Sequence, residues 1–223
     1  MRRILNSPLS AMEQVAIGWL IDRLPAWASP DRLTAIGIAG AVITFVGYFL
    51  GAASVHFLWL ANLGLVIHWF GDSLDGSVAR HRQIERPRYG FFIDQNLDVL
   101  GNLLIGGGLA LSPFVRAETA FCALFGYQML AIYSLTRMVV DKSFRVTILQ
   151  LGPTEIRALL ILMNLLILAF GAPVWTIAGV TFTWCDVAVG LLALGFLMAF
   201  LYLVIISAKR LRDEDEKSLS QPA

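Results

Sequence analysis

Apolar stretches of roughly twenty residues recur along the chain, separated by short polar connections. A crossing of the ~30 Å hydrocarbon layer takes about 20 residues of helix. Six stretches approach that length: 33–50, 52–80, 90–111, 117–138, 155–170 and 187–206. The pattern predicts an all-α integral membrane protein with six transmembrane helices. The first 29 residues read differently. Their longest apolar run, 15–21, is bounded by Glu13-Gln14 and Asp22-Arg23. Met12, Val15, Ala16, Trp19, Leu20 and Leu24 recur at helical spacing on one face. This predicts an N-terminal amphipathic helix lying on the membrane surface, in preference to a cleaved signal peptide ending near Ala26-Trp27-Ala28. After Lys209 the chain turns polar, and a frayed or disordered charged tail is expected there. The organisation is therefore 1–29 juxtamembrane helix, 30–208 six-helix domain and 209–223 tail, with no internal repeat.

Composition agrees with a membrane protein. Of 223 residues, 57% are hydrophobic and 15% charged, and the mean hydropathy is +0.71. Two cysteines, Cys122 and Cys185, form neither a CxxC nor a Cys/His cluster, which argues against zinc and thiol redox chemistry. The net charge of +1 hides an asymmetry. With six spans, both termini share a side with the 80–89 and 139–154 connections. That side holds every Lys and Arg of the 17 except Arg116. The positive-inside rule then predicts cytoplasmic termini, in an inner or cytoplasmic membrane. No nucleic-acid partner is expected.

Against this apolar background, Asp72, Asp75, Asp94 and Asp98 fall within 27 residues. Carboxylates beside a bilayer are costly and mark functional sites. Asp72 and Asp75 are three apart and Asp94 and Asp98 four apart, so each pair shares a helix face. A nine-residue connection, 81–89, makes the two helices antiparallel neighbours. Counted from Ala52, Asp72 lies about 30 Å along its helix; counted from Gly90, Asp98 lies about 12 Å inside the next. A cluster recessed at the cytoplasmic side is expected. Oxygen-only donors suit two magnesium ions, or manganese. Paired divalent ions are a recurrent clamp for displacement at phosphorus. Gly76 and Ala79 leave room beside the backbone, and Arg80 is placed to hold phosphate. His68, one turn before Asp72, is expected buried and hydrogen-bonded, and Asn164 in an interhelical hydrogen bond.

The segment resembles the signature of the CDP-alcohol phosphotransferase (CDP-alcohol phosphatidyltransferase) family, D-x2-D-G-x2-A-R-x8-G-x3-D-x3-D. It runs Asp72, Asp75-Gly76, Ala79-Arg80, Gly90, Asp94 and Asp98, with nine residues instead of eight between Arg80 and Gly90. Pro30-Asp31-Arg32-Leu33-Thr34 resembles a further family element before the first span. The resemblance implies that the four aspartates hold two magnesium ions on the diphosphate of a CDP-linked substrate. Gly76, Ala79 and Arg80 would line the nucleotide site, with Asp31 and Thr34 nearby. Asp98 would also take the proton of an acceptor hydroxyl that attacks the β-phosphorus as CMP leaves. Arg137 and Arg157 would bind a phosphate on the acceptor, or serve only as topology markers. A homodimer is implied as well.

The leading expectation is transfer of a phosphatidyl group from CDP-diacylglycerol to a small alcohol, among membrane lipids. The alternative is transfer of a phosphoaminoalcohol from a CDP-alcohol to diacylglycerol. A cation transporter is disfavoured, because a single cluster lies at one membrane edge and no repeat accompanies it.

Overall fold

The computed structural model describes residues 8–141 and 152–219. The elements in chain order are α1 (Pro8–Ile21), α2 (Pro30–Leu50), a 3-10 turn (Val55–Phe57), α3 (Leu58–His81), α4 (Pro87–Ala110), α5 (Ala117–Asp141), α6 (Pro153–Phe170), β1 (Val174–Ile177), β2 (Val180–Thr183) and α7 (Trp184–Leu219). Arg2, Arg3, Lys142, Arg145 and the chain beyond 219 lie outside the described residues.

Local chemistry sets the helix starts. Prolines 8, 30, 87 and 153 open α1, α2, α4 and α6, where a fixed φ and a missing N–H do no harm. Ser29 caps α2, its Oγ accepting from Arg32 N at 3.4 Å. At the start of α7, Thr183 Oγ1 accepts from Cys185 N at 3.1 Å while Asp186 Oδ2 accepts from Thr183 N at 2.8 Å. The two side chains thus satisfy each other's exposed donors, as in a capping box.

Among the described residues, four helices are long and apolar enough to cross a membrane: Pro30–Leu50, Ala117–Asp141, Pro153–Phe170 and, within α7, Trp184–Lys217. The helices that carry the aspartates, α3 and α4, are not among them, although each has 24 residues. By composition the six-span expectation is therefore met at four helices. Several expected boundaries move. The second span starts at Leu58, not 52, because Gly51 to Ser54 form a turn, with Ala53 N bonded to Leu50 O at 2.9 Å. Asp72 therefore lies about 21 Å along its helix, not 30 Å. Pro87 begins α4 early, so the connection is 82–86, not 81–89. The tail expected to fray continues α7 to Leu219. Its Arg210–Glu214 and Arg212–Glu216 pairs sit at i,i+4 spacing, and Arg210 reaches across to Asp141 of α5 at 2.8 Å. A two-stranded antiparallel hairpin, β1–β2, departs from the all-α expectation.

The tightest packing joins α2 to α3, and glycine makes it possible. A Cβ placed on Gly71 would stand 2.3 Å from Gly37 N, and one on Gly40 would stand 2.3 Å from His68 N. The two backbones touch, as small residues permit in membranes. Further along, Tyr48, Asn62 and Asn164 are buried and tie α2, α3 and α6 together: Tyr48 Oη donates to Asn164 Oδ1 at 3.2 Å and Asn164 Nδ2 to Asn62 Oδ1 at 2.8 Å. The interhelical bond expected of Asn164 is present. The main apolar cluster, around Leu58, Phe114, Ile167 and Cys185, fills the end of the bundle nearest the hairpin. A smaller cluster of Leu33, Leu74 and Val78 receives Ile17, Leu20, Ile21 and Leu24 from α1 and the residues after it.

The apolar set expected on one face of the first helix divides. Leu20 and Leu24 face the bundle, whereas Met12, Val15 and Trp19 are exposed. Glu13 fixes the docking: its Oε1 accepts from Trp69 Nε1, Ser73 Oγ and Thr154 Oγ1 at 2.9, 2.8 and 2.9 Å.

Candidate functional site

Asp72 and Asp75 lie in the last turns of α3, and Asp94 and Asp98 in the first half of α4. The sequence expectation of α3 and α4 as packed neighbours is not met: α2 packs against both helices, and the aspartate side chains meet across the cleft beside it. One carboxylate oxygen each of Asp72, Asp94 and Asp98 lies within 4.8 Å of the others. Asp75 stands apart from that triangle. Its Oδ2 accepts from Thr34 Oγ1 at 2.6 Å, and its Oδ1 from the Gly76 N–H at 2.5 Å. All four aspartates nonetheless line one cleft, with Thr34, Gly37, Ile38, His68 and Leu97.

Two further helix starts serve this cleft. Thr34 sits one turn into α2, its hydroxyl also anchored on Pro30 O at 3.0 Å. Arg157 sits one turn into α6, and its Nη2 donates to Asp72 Oδ2 at 2.7 Å. The same nitrogen stands 3.2 Å from His68 Nε2, and His68 Nδ1 stands 3.0 Å from Gly37 O. His68 is thus buried and hydrogen-bonded, as expected, while also walling the cleft. Arg157 is buried, and its Nη1 has no hydrogen-bond partner among the described residues. A buried guanidinium with an orphaned nitrogen is costly. The acid cluster holds it there.

The donor set fits a hard divalent cation: clustered carboxylate oxygens, no thiolate, and a histidine already bonded on both nitrogens. Arg157 brings one positive charge to a cleft lined by four carboxylates, so further cations would be welcome there.

The remaining candidates lie around the mouth. Arg80 is exposed and folds over Gly76, its Nη2 donating to Ser77 Oγ at 3.2 Å. Ala79 is half-buried, and its carbonyl accepts from Ile84 N at 3.0 Å. Asp31 is ion-paired with Arg86, whose guanidinium also lies over the Tyr89 ring at 4.4 Å. Arg82 clamps the loop between α1 and α2. It donates to the carbonyls of Leu24, Pro25 and Ala28 at 3.3, 3.0 and 2.9 Å. Arg137 is engaged elsewhere, with Asp141 at 2.5 Å and Ser207 Oγ at 3.1 Å, bridging α5 and α7. The structure therefore separates the two arginines that the sequence treats alike: Arg157 pairs with Asp72 of the cleft wall, whereas Arg137 pairs with Asp141 away from it.

Sequence reasoning did not find the Thr34–Asp75 bond, the Arg157–Asp72 pair or the docking role of Glu13. Each joins residues 41 or more positions apart. The available signal was a lone acid on an apolar helix in the case of Glu13.

Residues 27–192 match the family described as CDP-alcohol phosphatidyltransferase. The chain is 25% identical over 168 residues to cholinephosphotransferase 1 of Danio rerio, covering 73% of this chain and 44% of that protein. It is 30% identical over 110 residues to archaetidylinositol phosphate synthase of Pyrococcus horikoshii, covering 47% and 57%. With phosphatidylinositol phosphate synthase of Cutibacterium acnes it shares 35% identity over 88 residues, 40% of each chain. The chain thus spans roughly half the length of the curated relatives it matches.

Proposed function

The chain belongs to the CDP-alcohol phosphatidyltransferase family, and we propose that it transfers a phosphatidyl group from CDP-diacylglycerol to a small alcohol, releasing CMP. The observation that carries this reading is the convergence of Asp72, Asp94 and Asp98 from two helices, with Asp75 in the same cleft. Two divalent ions, magnesium before manganese, would be held by these four aspartates and would neutralise the donor's diphosphate and the leaving CMP.

The other roles fall to the chain's own groups. Thr34 fixes the rotamer of Asp75, so that one carboxylate oxygen has a set direction. Gly76 and Ala79 let the nucleotide approach the α3 backbone. Arg80 swings from Ser77 to a phosphate oxygen, and Asp31 closes the mouth beside it. Asp98 orients the acceptor hydroxyl and accepts its proton. The acceptor oxygen bonds to the β-phosphorus as the bond from that phosphorus to the CMP oxygen breaks. Positioning and charge neutralisation supply most of the rate. Arg157 balances Asp72 before substrates arrive and is the arginine placed to meet a phosphate on the acceptor. Arg137 holds α5 to α7. The same reading sets the cleft and both termini on the cytoplasmic side of a cytoplasmic membrane, with the protein as a homodimer.

The test is a donor and acceptor screen with purified protein, magnesium and lipid-mass readout. CDP-diacylglycerol with one of the small alcohols is expected to yield CMP and a new phospholipid. CMP from CDP-choline or CDP-ethanolamine with diacylglycerol, and none from CDP-diacylglycerol, would reverse the assignment of donor and acceptor.

A further inference from the structure

The hairpin between α6 and α7 is built to be two-faced. Ala178 and Gly179 turn it with φ of 53° and 80°, the positive pair of a two-residue I′ connection. The register pairs Val174 with Thr183, Trp175 with Phe182, Thr176 with Thr181 and Ile177 with Val180. Side chains alternate across a strand. One face therefore carries Trp175, Ile177, Val180 and Phe182; the other carries Val174 and three threonines.

At Thr183 the threonine face turns onto its own protein and is buried, while Val174, Thr176 and Thr181 on the same face are exposed. Thr181 and Thr183 line a cavity with Ser112, Phe114 and Asp186, and Thr183 Oγ1 donates to Phe114 O at 2.8 Å. Phe182 belongs to both faces: it lines that cavity and meets the Trp175 ring at 5.9 Å. The rest of the apolar face lacks cover among the described residues. Trp175, Ile177 and Val180 are 46%, 65% and 45% exposed.

An isolated two-stranded ribbon is marginal in water, and an uncovered apolar face makes it worse. The surroundings say what covers it. The ribbon joins two helices that are long and apolar enough to cross a membrane. No charged residue lies between Phe170 and Asp186. Phe170 and Val187, at the adjoining helix ends, are exposed too, so the apolar face continues the lipid-facing surface of α6 and α7. With 18 residues, α6 is about 27 Å long, slightly short of the ~30 Å hydrocarbon layer. The ribbon thus begins at the edge of that layer, where tryptophan is favoured.

We propose that this hairpin is an interfacial anchor, its Trp175, Ile177 and Val180 face lying in the headgroup–acyl boundary of a phospholipid bilayer. It sits at the end of the bundle opposite the aspartate cleft, since Arg157, bonded to Asp72, lies one turn into α6 and the ribbon follows that helix's last residue.

Nitroxide labels test this in the full chain, reconstituted in phosphatidylcholine–phosphatidylglycerol vesicles. The exposed Cys122 is changed to Ser, the buried Cys185 stays, and Ile177→Cys or Thr176→Cys carries the label. Both positions are exposed, so the packing is undisturbed. Power saturation should show oxygen collisions exceeding those of a water-soluble nickel chelate several-fold at 177, with the opposite order at 176. Equal ratios at the two positions would overturn the proposal. So would dipolar broadening at 177 that grows with label density, because a second copy of the chain would then be the cover.

Discussion

Arg157 is the residue on which the cleft's electrostatics turn. Its guanidinium is buried, bonded to Asp72 and near His68, with one nitrogen unsatisfied. Removing one member of a buried ion pair leaves the other charge stranded, at a cost of about 3–5 kcal/mol. Arg157→Ala should therefore lower the thermal midpoint in detergent by roughly 10 °C, at about 2–4 °C per kcal/mol for a chain of this length. Freed Asp72 would then bind a divalent ion more readily. Magnesium should restore more of the midpoint in the variant than it adds to the wild-type chain, because a ligand stabilises in proportion to its affinity for the folded state. An equal magnesium shift in both proteins would show that Arg157 does not compete with cations at Asp72. The aspartates themselves were legible in the sequence from their three- and four-residue spacing. The Arg157–Asp72 bond was not, since 85 positions separate the partners and a basic residue at a helix start is equally explained by membrane topology.

At the scale of elements, the contact between α2 and α3 carries the site. Thr34 meets Asp75 and Gly37 meets His68 only because these two helices lie backbone to backbone. Gly71→Ala would place a methyl 2.3 Å from Gly37 N and 2.4 Å from Leu33 O. Backbone cannot rotate away as a side chain does, so the helices must part. Overpacking of this kind costs about 1–3 kcal/mol or more. Gly107→Ala meets nothing within 4 Å and should be neutral or gain up to ~1 kcal/mol from helix propensity. Thermal midpoints of the two variants in detergent check the contrast, and a Gly71 variant as stable as that at Gly107 would contradict the close packing. Helix existence was readable from apolar runs, but the starts were not, since prolines 30, 87 and 153 open helices a few residues before the apolar runs at 33, 90 and 155. Lengths were harder. Small residues at 52–54 read as the start of the second span yet belong to a turn, and the charged stretch after 209 reads as solvated tail yet is laced into helix by i,i+4 pairs.

The whole molecule gathers chemistry at one end and leaves the other apolar. The starts of α2, α4 and α6 and the end of α3 meet at the aspartate cleft, with α1 docked beside them through Glu13. The opposite end holds the hairpin and Arg116. This polarity was legible in the distribution of Lys and Arg along the chain. The hairpin was not, because Val174 to Thr183 reads as one more short apolar connection until its register is known. The central claim is that the carboxylates of α3 and α4 act together on a CDP-linked lipid. The most direct measurement is CMP release from CDP-diacylglycerol by the purified wild-type chain and by Asp94→Asn, across a magnesium titration and with the best acceptor of the screen. Asparagine keeps the size and removes the charge. Magnesium-dependent CMP release by the wild-type chain is expected, with a loss of about 100- to 1,000-fold in the variant, the scale of removing one preorganised charge-stabilising group. CMP release by Asp94→Asn within a few-fold of wild type would contradict it.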